Sequence, residues 1–146
     1  MGTTRSVVHT LLAAGDPDGT LAWMSGVGVL TVHHDEPIRR ALRAVVNATQ
    51  GFEGMGEAAS AEEALELAVA LRPSLALIGT EMPGIDGFET SQRLLDSIPG
   101  TTVVLVYTSA EPSVDELTRS GAATALQTEA LTPASLRALW EEQKPR

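Results

Sequence analysis

The run His33-His34-Asp35-Glu36 is the densest group of chemically versatile side chains in this 146-residue sequence. Neutral imidazole suits Zn²⁺ or Ni²⁺, and Asp35 or Glu81 would complete such a site. Against that, adjacent residues of a strand point to opposite faces, which makes joint chelation by His33 and His34 awkward. The simpler reading is one histidine partly buried and hydrogen-bonded and the other solvated. Asp35 and Glu36 then favour the positive end of a following helix. Thr108 and Thr128 carry hydroxyls, but no Ser-His-Asp or paired-carboxylate constellation stands near them, so both read first as strand-end hydroxyls bonded to backbone. A phosphate loop of Walker or dinucleotide type would need glycines after the first strand, and His33-His34-Asp35-Glu36-Pro37 is acidic and glycine-free. With no cysteine, disulfides, thiol redox chemistry and cysteine zinc sites are excluded.

Five β-rich runs alternate with five helical runs from about residue 27 onward, the pattern of a doubly wound parallel sheet. Val27 to Val32 is the first strand. Pro37 opens a helix whose Ile38, Leu42, Val45 and Val46 form one buried stripe. Phe52 to Ala58 is the second strand, followed by a capping box at Ser60 to Glu63 and a helix bearing Ala64, Leu65, Ala68 and Leu71, which Pro73 stops. Leu75 to Gly79 is a continuous apolar run, as expected of a central strand covered on both faces. A helix with Phe88, Leu94 and Leu95 leads to a fourth strand, Thr102 to Tyr107. Pro112 opens a weaker helix that Gly121 ends as a left-handed cap. Ala123 to Gln127 is the last strand, and Thr132-Pro133 starts a final helix burying Leu136, Leu139 and Trp140. Open sheets of this kind bind ligands outside the carboxyl ends of their strands. His33, His34, Gly79, Glu81, Thr108 and Thr128 all fall there.

Several stretches together resemble a receiver domain of the two-component response regulators. They are Gly51-Phe52-Glu53, Gly56-Glu57-Ala58, the run Ala61 to Ala68 and, above all, Met82-Pro83-Gly84-Ile85-Asp86-Gly87-Phe88-Glu89. The resemblance implies a flavodoxin-like (CheY-like) three-layer α/β fold with five parallel strands in the order 2-1-3-4-5 and five helices. It also implies a pocket where a typical receiver places two acids for Mg²⁺, a nucleophilic aspartate, a hydroxyl and a lysine. A carboxylate attacks phosphorus there while metal, hydroxyl and lysine neutralise the phosphoryl oxygens.

Counted back from Pro83, the nucleophile position is Gly79, which has no side chain to phosphorylate. The acidic pair falls on His33 and His34 in a gapless alignment that keeps the first helix and second strand in step. A shifted register would use His34 and Asp35. Thr108 keeps the hydroxyl, whereas the lysine position is Thr128, and the sole lysine of the chain is Lys144. The aromatic residue that often signals phosphorylation is Ala125. Glu81 lies two residues past Gly79 in a loop and is not placed like a strand-end nucleophile. Glycine at position 79 reads as drift at a disused site, and opening of the pocket for a ligand is the alternative.

Ten basic against 19 acidic residues give a net charge of -9, which repels nucleic-acid phosphates and anionic membranes. The two tryptophans, one tyrosine and two phenylalanines are too few for a base-stacking platform. No run reaches the roughly 18 to 20 apolar residues of a membrane span. The opening residues read neither as a signal peptide nor as a myristoylation site, and a cytoplasmic location is the default. The organisation expected is an extension over residues 1–26 and a receiver-like domain over 27–146. The leading expectation is a non-enzymatic pseudo-receiver without cofactor, acting by protein-protein interaction independent of phosphorylation. Its partner would be a histidine kinase, another regulator, a transcription factor or a second copy. By the resemblance, the partner face is that of the fourth helix, fifth strand and fifth helix, with Val114, Leu117, Ala125 and Leu136. The competing expectation is a metal or small-ligand domain using His33, His34, Glu81 and Thr108.

Overall fold

The computed structural model describes residues 26–143. The extension up to residue 25 and Lys144 lie outside the described residues. The elements are β1 (Val27–Val32), α1 (Glu36–Ala48), β2 (Phe52–Ala58), α2 (Ala61–Leu71), β3 (Leu75–Gly79), α3 (Gly87–Ser97), β4 (Thr102–Tyr107), α4 (Val114–Ser120), β5 (Thr124–Gln127), a short 3-10 turn (Thr128–Ala130) and α5 (Pro133–Gln143). All strand pairings are parallel, in the order β2-β1-β3-β4-β5. This is the five-stranded, five-helix flavodoxin-like architecture that the sequence implied.

The strands sort their side chains by alternation between two cores. Leu30, Val32, Ala76, Ile78, Val103 and Leu105 face α2 and α3, where Ala64, Ala68, Leu94 and Ile98 meet them. Val29, Leu75, Leu77, Val104 and Val106 face the other way, against Leu42 and Val46 of α1 and Leu136 of α5. The central strand β3 is buried along its whole length, as its unbroken apolar run required. Trp140 packs edge-on to Phe52 beside this second core, with ring centroids 6.4 Å apart. Met82 is buried in the first core, so both residues are packing elements.

Helix starts follow local hydrogen bonding. Asp35 caps α1 by accepting from the Ile38 amide, with Pro37 in the first turn where a missing N–H costs nothing. Ser60 caps α2 from the expected position, accepting from the Glu63 amide, but the Glu63 carboxylate reaches one residue further back, to the Ala59 amide. The reciprocal capping box is at α4, where Ser113 and Glu116 satisfy each other's backbone amides. That box starts the helix after Ser113 rather than at Pro112. Gly121 closes α4 at φ 77. At the outer edge, β2 carries a bulge. Val29 pairs with Gly54 and Leu30 with Gly56, so Met55 is skipped.

One expectation fails on burial. Leu136, placed by family resemblance on the partner face, is 0% exposed and belongs to the core beneath α5. Leu117 and Ala125 are half-buried against the other core. Only Val114, 81% exposed, is freely presented. Leu136 points inward because the stripe Leu136, Leu139, Trp140 is the face by which α5 attaches to the sheet. We expect Leu136→Ala to cost about 2–5 kcal/mol through the cavity it leaves. Val114→Ala should change stability by less than about 0.5 kcal/mol. Urea unfolding midpoints of the two variants check both values.

Candidate functional site

The register of the sheet decides which strand-end residues meet. Val32 pairs with Ile78, and Gly79 with Val106. The next residue of β1, His33, therefore arrives beside Gly79 at the carboxyl edge. Its backbone N–H continues the β2 ladder by donating to the Ala58 carbonyl at 3.0 Å. The imidazole then lies where a side chain on position 79 would go. A Cβ built on Gly79 would stand 2.6 Å from His33 Cδ2 and 3.1 Å from Nε2, inside van der Waals contact. The glycine is thus matched to a space filled by the His33 ring.

His33 is held on several sides and is only 5% exposed. Nδ1 accepts from the Asp35 amide at 3.0 Å, which fixes the neutral tautomer with its proton on Nε2. The Arg39 guanidinium donates to the His33 carbonyl at 2.8 Å and pairs with Glu57 at 3.3 Å. Arg43 reaches the same carboxylate at 2.7 Å. The rings of His33 and His34 stack with centroids 5.2 Å apart and planes 15° from parallel. β1 ends at Val32, so strand alternation does not separate the two histidines, and both line one cleft. Stacked rings nonetheless do not converge on a common point. Among the described residues no three His, Asp or Glu side chains are grouped to hold a metal ion.

The cleft measures about 210 Å³ and is lined by His33, His34, Asp35, Ile38, Thr80, Glu81, Val106, Thr108 and Ser109. Four of the expected site residues are therefore brought together: His33, His34, Glu81 and Thr108. Thr128 is not among them. Its hydroxyl donates to the Tyr107 carbonyl at 3.1 Å, tying the end of β5 to β4, which is the structural role first read for it. On the far side of Gly79, α3 packs directly on the strand end. A Cβ on Gly87 would fall 2.0 Å from the Gly79 carbonyl oxygen, and the Gly87 amide donates to the Thr80 carbonyl at 2.9 Å. Sequence reasoning missed Arg39 and Gly87 as site residues. Gly87 was visible only as part of a family-like loop.

A family model described as the response regulator receiver domain matches residues 29–138. The chain belongs to the response regulator receiver family. It is 38% identical over 102 residues to protein-glutamate methylesterase/protein-glutamine glutaminase 4 of Myxococcus xanthus, covering 67% of this chain and 29% of that protein. It is 34% identical over 98 residues to the response regulator GacA of Pseudomonas aeruginosa, covering 66% of this chain and 46% of that one. The receiver thus spans less than half the length of these curated relatives. Among solved structures, the signal receiver domain of a NarL response regulator from Mycobacterium tuberculosis superposes with a TM-score of 0.73 at 27% identity, over 83% of this chain and 98% of that one.

The residues present do not fit the Mg²⁺ that the family implies. Magnesium takes near-octahedral oxygen ligands. Here imidazoles stand at the end of β1, one of them with Nδ1 already committed, and an Asp35 carboxylate oxygen accepts from the Ile38 amide.

Burial lowers the pKa of His33 below its ordinary 6.5, aided by His34 and Arg39, while Asp35 and Glu81 oppose the shift. Protonation would also set an Nδ1–H against the Asp35 N–H. Because the folded state binds this proton less readily than the unfolded chain, the stability contributed by His33 is complete above pH 6.5 and falls as pH drops toward the lowered folded value. We expect the melting temperature of wild type to decline below pH 6.5 more steeply than that of His33→Asn. A second expectation concerns the pair itself. Gly79→Ala should cost about 1–3 kcal/mol alone and much less in a His33→Ala background, a coupling that a double-mutant cycle of denaturant unfolding measures directly.

Proposed function

We propose that this receiver is degenerate and transmits its signal by protein-protein contact without being phosphorylated. One observation carries the reading: the imidazole of His33 occupies the space at Gly79, the position that family resemblance assigns to the phosphoacceptor. Three further features support it. Glycine offers no nucleophile. The lysine position is Thr128, whose hydroxyl is engaged with backbone. His33 and His34 stand where the resemblance places the two acids for Mg²⁺.

In this reading the domain is not an enzyme. Its partner is a histidine kinase, another regulator or a transcription factor, met in the cytoplasm. The exposed Val114 at the start of α4 is a contact residue in this reading. Among the described residues no helix is long and apolar enough to cross a membrane. The names of the Myxococcus and Pseudomonas relatives belong to proteins more than twice as long as the matched region, so esterase and regulatory activities are not carried over. Incubation with acetyl phosphate and Mg²⁺ followed by intact-mass measurement tests the proposal. The mass should stay unchanged, and a stoichiometric acyl phosphate on the chain would overturn it.

A further inference from the structure

We propose that the His33 imidazole is a built-in occupant of the strand-end pocket, a wedge that holds the β1–α1 and β3–α3 connections in one fixed arrangement. The inference rests on the reading of Gly79 as the vacated acceptor position, and goes beyond it by assigning what replaces the lost side chain. The ring meets both connections at once. Toward α1, Nδ1 accepts from Asp35, whose own carboxylate caps the helix at Ile38. Toward β3, the ring rests on Gly79. The strand end is then clamped from its other side by Gly87, which has no room for a Cβ and whose amide bonds Thr80. Arg39 fastens the His33 carbonyl and, through Glu57, the end of β2.

A side chain so enclosed has a specific mechanical consequence. The β3–α3 loop cannot move inward while the ring stands against Gly79, and the α1 N-terminus cannot shift without breaking the bond to Nδ1. Close-packed interiors have discrete arrangements rather than a continuum. The wedge selects one of them permanently, with no ligand or modification required. Complementary sizes explain why the two positions suit one another: a large planar ring at the end of β1 and no side chain at the end of β3.

Vacating and refilling the ring tests this. In His33→Ala, hydrogen exchange of the bonded amides in segments 35–38 (Asp35, Ile38) and 80–87 (Thr80, Gly87) should quicken roughly tenfold or more relative to wild type, while the interior of β4 is unchanged. Millimolar imidazole should slow both segments again and leave wild type unaffected. Unaltered exchange in the variant, or acceleration that imidazole does not reverse, overturns the wedge. Should His33→Ala not fold, His33→Asn supplies the same test. Its amide oxygen can take the Asp35 bond while leaving ring volume empty, so exchange should quicken at 80–87 and not at 35–38, and equal change in both segments overturns it. Phosphorylation of wild type by acetyl phosphate would defeat the functional reading above without touching these exchange results. Conversely, an unloosened His33→Ala would defeat the wedge and leave that reading standing.

Discussion

The contact between the His33 ring and the bare Cα of Gly79 is the constraint around which the carboxyl edge of the sheet is organised. It exists because parallel pairing brings Val32 level with Ile78, so the next residues of β1 and β3 emerge side by side. Around it, the Asp35 amide donates to the ring, the Asp35 carboxylate caps α1, and Arg39 donates to the His33 carbonyl. Those three bonds are local to residues 33–39, and the register adds the seating of the ring against Gly79. The order of causes runs from strand alternation through pairing to a side-chain fit, and only then to function.

Energetically the arrangement is supported more by packing than by charge. The Arg39 and Arg43 pairs with Glu57 lie at or near the surface, where such pairs contribute at most about 1 kcal/mol. Two apolar layers, sorted by the alternation of β1, β3 and β4, provide the larger part. That division suits a signalling module. Most residues lining the cleft lie outside the two cores.

Most of the fold was legible in the sequence because its signals are local and periodic. The continuous apolar run of β3, the stripe on α1 and Gly121 after α4 each mean the same thing in nearly any context. The site was legible only in part. His33, His34, Glu81 and Thr108 were recognised as neighbours from the rule that parallel strands end together. The fit of His33 to Gly79 was not, although a large residue at one strand end and glycine at the adjoining one is a size-complementary pattern that a pairing register makes readable. Leu136 was misjudged as a partner residue because a family-level surface was applied to a helix whose own apolar spacing already assigned that leucine to the interior. Stacking of His33 on His34 escaped notice for a different reason: alternation was extended past Val32, where the strand has already ended.

The bulge at Met55 has a consequence for how copies of the domain can associate. β2 is an outer strand, and an outer strand with free backbone groups invites another chain to extend the sheet. Skipping Met55 kinks and twists this edge, so that a second copy laid alongside meets no flat, regular row of backbone groups. Extension of the sheet through its β2 edge is thereby discouraged.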